Sequence, residues 1–521
     1  MTMTRITGLI ALALFLSPAW AVDVGTDDSA SIEALRTEVH DVRTRNAELT
    51  ARLDAQDTAW LDASRAEEIR AVVQDVLANS RHRTNLQDSG AMAGYTPGKG
   101  FMIASQDGDF TMGINGQLQV RWALNDNPSR QDYVPADYVR AGVGLPSTAT
   151  GNRTGWGFSV RRAKIGFRGT MFDKAWSWRI HGAFSSSSGD FSFEDAWIRH
   201  SNGEGLELTI GQFKVPFLRE SLVSSRYQLA VDRSVVNSFF SMNRGVGIDV
   251  RYRDDAFSLR GYYGNGGTTA IDTSVLNTSS ADNPTQYAFA GRMEYKLSGD
   301  WDQFKTLTGG LDQETGVMLG VAGMAQSYQG SVSADGSFGL PALFDPALMG
   351  DLSLDGSTVY GVTADVSAKF DNLSLFGAVV WRQYDVSGQG NPFGNPAART
   401  DYEISTVNPW GLVLQGGYSM TESWELFTRY AWSDSDLSSY TFSTAAPLND
   451  VEVPLVSSTW SVLTIGSNHF INENTKLTLD WSINLDDTFL GLSERQLQSL
   501  GWGSANASGQ WLFRAQLQLL F

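Results

Sequence analysis

The stretch FRAQLQLLF (Phe513–Phe521) decides how the rest of the chain is read. Phe513, Ala515, Leu517, Leu519 and Phe521 are apolar, while Arg514, Gln516 and Gln518 fall between them. A period of two is a strand with one greasy face and one wet face. Soluble sheets avoid ending on such an edge, because its open N–H and C=O groups invite pairing. Either the strand finds a partner that removes the edge, or its apolar face meets something other than a core. The same alternation opens the main body in FTMGINGQLQVRWAL, where Phe110, Met112, Ile114, Leu118, Val120, Trp122 and Leu124 oppose Thr111, Asn115, Gln117, Gln119 and Arg121. It returns in RRAKIGFRGTMF, AWSWRIHGAF, GVGIDVRY, YAFAGRMEYKL, WELFTRYAW and TKLTLDWSINL.

Sixteen such segments can be counted, beginning near residues 110, 159, 175, 191, 205, 244, 256, 286, 315, 357, 372, 409, 423, 458, 474 and 509. The facing of those near 191, 315 and 458 is ambiguous. Links such as DKA (Asp173–Ala175), RDD (Arg253–Asp255), DN (Asp371–Asn372) and NENT (Asn472–Thr475) alternate with long connections. Short turns at one end, long loops at the other and an even strand number predict a closed antiparallel transmembrane β-barrel over 110–521. Closure satisfies every backbone polar group within lipid, which an open sheet cannot do. The last strand would then pair with the first, with Phe521 closing the row against outer-membrane lipid. Soluble β-sandwiches are the competing reading, and they leave the loop asymmetry and terminal Phe unexplained. One segment is out of place: Ser298–Glu314 is too long for a short-turn position.

Composition fits an all-β chain. There are 52 Gly, 27 Phe, 16 Trp and 16 Tyr in 521 residues, at 42% hydrophobic content. Cysteine is absent, which excludes disulfides, thiolate metal sites and Cys nucleophiles. A net charge of −18 argues against a nucleic-acid partner. No metal-ligand spacing is present and no cofactor is implied. The start, with Arg5, the run GLIALALFL and then SPAWA, predicts a secretory signal over 1–21 with cleavage after Ala21.

Residues 22–80 predict a coiled-coil helix. Ile32, Leu35, Val39, Val42, Leu49 and Leu53 form a heptad seam, with Asn46 at a core position that sets register and often favours dimers. Such a seam implies self-association and a periplasmic location. It spans about 45 Å at 1.5 Å per residue, enough to project toward peptidoglycan. A linker is expected over 81–109.

If apolar positions face lipid, the alternate positions line the interior. Basic candidates are Arg121, Arg162, Lys164, Arg168, Arg179, Arg251, Arg260, Arg292, Lys296, Lys369, Arg382, Arg429, Lys476 and Arg514. The acidic set is smaller: Glu207, Asp249, Glu294, Asp365, Glu425 and Asp480. This predicts a cationic lumen, unless the charges pair across strands. The loop Lys214–Gly245 is long yet rich in apolar residues, including Phe217, Val235, Phe239 and Phe240. It is expected to fold into the barrel and narrow it, presenting Arg219, Arg226, Arg233 and Arg244 with Glu220 and Asp232.

The segments GFMIASQDGDFTMGINGQLQVRW, RRAKIGFRGTMFD, FEDAWIRH, GQFKVPF, SSRYQLAVDRS and NRGVGIDV resemble, in order, motifs of the phosphate-selective porin O and P family. The resemblance is densest over 101–264. It implies a sixteen-stranded trimeric outer-membrane porin, a constricting third loop and basic side chains that guide anions such as phosphate. By it, Arg161, Arg162, Lys164, Arg168 and Lys214 stand in matching motifs. The terminal strand is the expected contact for the barrel-assembly machinery. The expected function is passive diffusion of small solutes with anion preference. The alternative is a non-selective porin whose coiled coil also tethers the membrane to the cell wall. An enzyme built on His181 and His200 beside Glu194 and Asp195 is the weakest reading, and none is expected.

Overall fold

A computed structural model of the protein describes residues 36–50, 91–96, 100–128, 154–185, 189–266, 285–328, 356–385, 406–436, 459–486, 499–502 and 509–521, with a few short loop segments. The chain divides into two units, Met1–Ser89 and Gly90–Phe521. In the first, residues 36–50 are helical (α1), and Val39, Val42 and Leu49 are exposed along it. Residues 1–21, where a secretory signal is expected, and Ile32, Leu35 and Leu53 lie outside the described residues.

The second unit opens with a hairpin, β1 (Met92–Thr96) and β2 (Gly100–Ala104). Within the stretch expected as a linker, residues 92–96 and 100–104 are therefore paired strands. Sixteen long strands follow: β3 (Thr111–Asp126), β4 (Thr154–Met171), β5 (Asp173–Phe184), β6 (Phe191–Ser201), β7 (Leu206–Lys214), β8 (Arg244–Arg253), β9 (Phe257–Gly264) and β10 (Thr285–Ser298). The second half comprises β11 (Gln313–Tyr328), β12 (Thr358–Asp371), β13 (Leu373–Asp385), β14 (Trp410–Thr421), β15 (Trp424–Asp434), β16 (Thr459–Asn472), β17 (Thr475–Asn484) and β18 (Trp511–Leu520). Each pairs antiparallel with its sequence neighbour, and β18 returns to β3 from Trp511↔Asp126 to Leu520↔Gln117. The barrel is closed, and the last strand has no open edge.

The closure has a local device. The Gly116 N–H donates to Phe521 O at 2.7 Å, and the Phe521 N–H donates back to Gly116 O at 3.3 Å. The Phe521 ring lies on Gly116, where a Cβ would fall 2.0 Å from the ring. Only glycine fits under it. Where β18 stops, β2 takes over the same edge of β3, from Phe101↔Ile114 to Ala104↔Thr111.

Outward positions are apolar and exposed, among them Leu118, Val120, Leu517 and Leu519. Aromatic pairs mark both ends of this band. Trp176 with His200, Phe257 with Tyr295 and Trp424 with His469 lie toward the short turns; Tyr263 with Phe289 and Trp410 with Trp432 lie toward the long loops. Two aromatic girdles about an apolar belt suit the two interfaces of a bilayer. The short turns are tied by side chains that mimic backbone acceptors. Asp254 accepts the N–H groups of Ala256 at 2.8 Å and Phe257 at 2.7 Å, which holds its carboxyl below the ordinary value. Asp173 likewise accepts the Ala175 N–H at 2.8 Å.

Candidate functional site

The loop between β7 and β8 lies inside the barrel. It carries a one-turn helix α2 (Arg219–Leu222) and a second short helix α3 (Val235–Phe240). Its apolar side chains do not face solvent: Phe217, Val223, Leu229, Val236 and Phe240 join one buried cluster with Phe376, Val413, Phe427, Trp460 and Val462 from the inner wall. Covering that apolar patch is what the loop's own apolar residues are for.

Polar contacts fix the loop at several points. Asp232 is 1% exposed. Its carboxylate meets Arg121 at 2.8 Å, Arg162 at 3.0 Å, Arg161 at 3.1 Å and Arg514 at 3.9 Å. Arg429 donates to the Asp232 carbonyl at 2.8 Å. Glu220 accepts from the Ser234 N–H at 2.7 Å and its hydroxyl at 2.5 Å, and the same hydroxyl accepts the Asn237 N–H at 3.0 Å, capping α3. Arg233 donates to the Glu220 and Val223 carbonyls at 3.0 and 2.7 Å. Lys214 donates to Ser221 O at 2.8 Å, at the C-terminal end of α2, so it anchors the loop. Arg219, Glu220, Asp232 and Arg233 therefore hold the loop in place instead of presenting charge to a solute, as the sequence reading expected.

The inner wall divides in two. On β12–β18, Asp365, Lys369, Arg382, Arg429, Lys476, Asp480 and Arg514 are all below a tenth exposed. Arg292, on β10, is buried too: it grips Asp365 at 2.8 and 2.9 Å and Glu294 at 2.9 Å. Arg514 grips Asp480 at 2.7 and 2.8 Å. On β4–β9 exposure is mixed: Arg179 is 31%, Arg199 26% and Arg251 21% exposed, whereas His181 and Asp249 are buried. Among the described residues, the most exposed inner charges lie along this second wall.

Two bulges shape the solvated wall. Register slips at Gln119/Val120, which places Arg161 beside Arg162 on the inner face. It slips again at His181/Gly182, which turns both Glu194 and Asp195 inward. A bulge re-aims a side chain that strict alternation would send to lipid. Glu194 then meets Lys164 at 2.5 Å and Arg244 at 3.2 Å, while Asp195 meets Arg244 at 2.9 Å and Arg179 at 3.1 Å. Further along, Glu207 takes Arg251 and Arg199, and Asp249 takes Arg260 at 3.0 Å. Much of the expected cationic lumen is thus neutralised by cross-strand pairs. Arg168 is the exception. It is exposed, register-paired with Arg179, and makes no ion pair among the described residues. Arg226 from the loop lies within electrostatic range of both and bonds only neutral oxygens, Asn115 Oδ1 at 2.6 Å and Gly116 O at 3.2 Å. Lys296 sits by the Trp301 ring at the short-turn mouth. His181 faces inward against Glu194, whereas His200 meets Trp176 edge-on outside, so the two histidines share no site.

A closed barrel with an internal loop and one solvated, charged wall is the build of a porin. Residues 137–485, well over half of the chain, match the phosphate-selective porin O and P family. The chain belongs to that family and is an outer-membrane porin channel. No curated protein matches it. Among solved structures, it is similar to an anion-selective porin from Comamonas acidovorans at 15% identity, covering 79% of this chain and 100% of that one, with a TM-score of 0.47. The outer membrane channel DcaP of Acinetobacter baumannii matches at 13% identity over 80% of this chain and 99% of that one, TM-score 0.44. OmpT of Vibrio cholerae matches at 10% identity over 79% and 98%, TM-score 0.43.

Proposed function

We propose that the porin passes small hydrophilic solutes passively along the β4–β9 wall and prefers anions. The observation that carries this reading is the group Arg168, Arg179 and Arg226, three guanidiniums of which, among the described residues, Arg179 alone makes an ion pair, with Asp195. An anion entering there sheds part of its hydration against planar donors that suit phosphate, sulfate or carboxylate. Arg161, Arg162, Lys164, Arg244 and Arg251 support it as a paired, weaker field. Binding of this kind remains shallow, which conduction requires. The reversal potential of the purified channel in a KCl gradient tests it; a cation-selective sign removes the preference and leaves the porin.

The segment over 22–80 supports a second, compatible role. Val39, Val42 and Leu49 lie exposed on a helix, as an unpartnered heptad seam would. We read it as a periplasmic coiled coil that holds a homo-oligomer, a trimer by family resemblance, and that can reach peptidoglycan. Deleting residues 22–90 separates the roles. Loss of cell-wall sedimentation with intact conductance favours tethering; loss of oligomer size favours assembly.

A further inference from the structure

The segment between β10 and β11 is long for a short-turn position, and the structure shows where it goes. It folds into the barrel around a short 3-10 turn (Gln303–Lys305), burying Phe304 and Leu307. There it meets the internal loop, which has entered from the opposite end and crossed the lumen. The Leu307 N–H donates to Tyr227 O at 3.0 Å, and Arg219 donates to Phe304 O.

Four wall side chains near the short-turn end grip both segments at once. Lys369 donates to Thr308 O at 2.5 Å, and Glu425 accepts the Gly309 N–H at 2.6 Å. Lys476 donates to Gln228 O at 2.9 Å. Asn468 joins the halves: its Nδ2 reaches Leu229 O at 2.9 Å and Glu425 at 2.8 Å, while Thr478 fixes its Oδ1 at 2.7 Å. Glu425 and Asn468 are fully buried. Buried polar groups joined this way are costly to separate, so the arrangement has one geometry.

We propose that the turn 299–312 is a stop for the internal loop, and that it fixes which half of the lumen conducts. Loop and turn together form a pillar from mouth to mouth against β12–β17. Glu425 and Asn468 are positioning residues: they touch no solute and act through the loop tip. Without the stop, Tyr227 O and Arg219 lose their partners on the turn and water enters along the covered wall. This rests on the porin reading and not on anion preference.

The test uses the full chain and two variants. One excises Trp301–Gly310; the other combines Phe304→Ser with Leu307→Ser in the turn and leaves loop and wall unchanged. Single-channel conductance should rise about twofold in each, because opening a second half of the lumen roughly doubles the conducting cross-section. The chain has no cysteine, so Ser482→Cys gives a clean probe of the covered wall, where Ser482 is 1% exposed. A charged thiol reagent should leave that probe untouched in the parent and modify it in both variants. If the excision fails to fold, the double substitution decides. A folded variant with parental conductance and a silent probe overturns the proposal. A parent that carries no current would instead remove the porin reading.

Discussion

The β4–β9 wall and the β12–β18 wall belong to one barrel and share strand geometry, yet their inner faces differ in kind. The first is charged and carries the exposed Arg168 and the partly exposed Arg179, Arg199 and Arg251. The second is partly apolar, with Phe376, Val413, Phe427 and Trp460 turned inward beneath the loop, and its charges are dry, held by acidic partners or by backbone carbonyls. A buried ion pair offsets its desolvation only when its geometry is complete, which the bidentate Arg292–Asp365 and Arg514–Asp480 contacts supply. A solvated pair has no such requirement and contributes little stability. Charge on the covered wall therefore holds structure, whereas charge on the bare wall is free to meet solutes.

That contrast breaks most visibly at Asp232. Asp232→Ala leaves Arg121, Arg161 and Arg162 facing one another without an anion, and should cost about 3–5 kcal/mol. Urea unfolding in detergent measures it; a loss under about 1 kcal/mol would mean the loop is held elsewhere. Phe240→Ala empties a buried site in the loop–wall core and should cost about 3–5 kcal/mol in the same assay, with a slightly smaller loss if the loop settles into the gap.

The bare wall should respond in the opposite way. Arg168→Glu is expected to change stability by less than about 0.5 kcal/mol, since Arg168 is exposed and unpaired among the described residues. It should nevertheless move the KCl reversal potential toward cations. A stable variant with unchanged selectivity would shift the anion route away from Arg168. The smallest effect is that of salt. Raising KCl from about 0.1 to 1 M shortens the screening length from about 10 to 3 Å, so anion preference should weaken without vanishing. No change would place the selecting charges in a dry site.

Legibility in the sequence followed the same division. Strands with apolar residues on one face alone, such as β3 and β8, could be placed to within a few residues, and all sixteen strand starts fall near their expected positions. The ambiguous segments were ambiguous for physical reasons. Near 315 and 458, Met318, Trp460 and Val462 are buried inward while Leu319, Val321 and Ile465 face out, so alternation is lost where both faces are covered. Near 191 the bulge at Glu194 breaks the period. The loop's apolar content marked it as internal. Which of its charges would be consumed in anchoring it was not visible, because Asp232 draws its partners from β3, β4 and β18.

Alternation of side chains, the rhythm of short and long connections and the terminal aromatic residue determined a closed barrel, because these are properties of neighbours along the chain. The division into wet and dry walls, the pairing of most lumen charges and the meeting of loop with turn were decided only in three dimensions. Each depends on residues hundreds of positions apart, and no local period records which of them will touch.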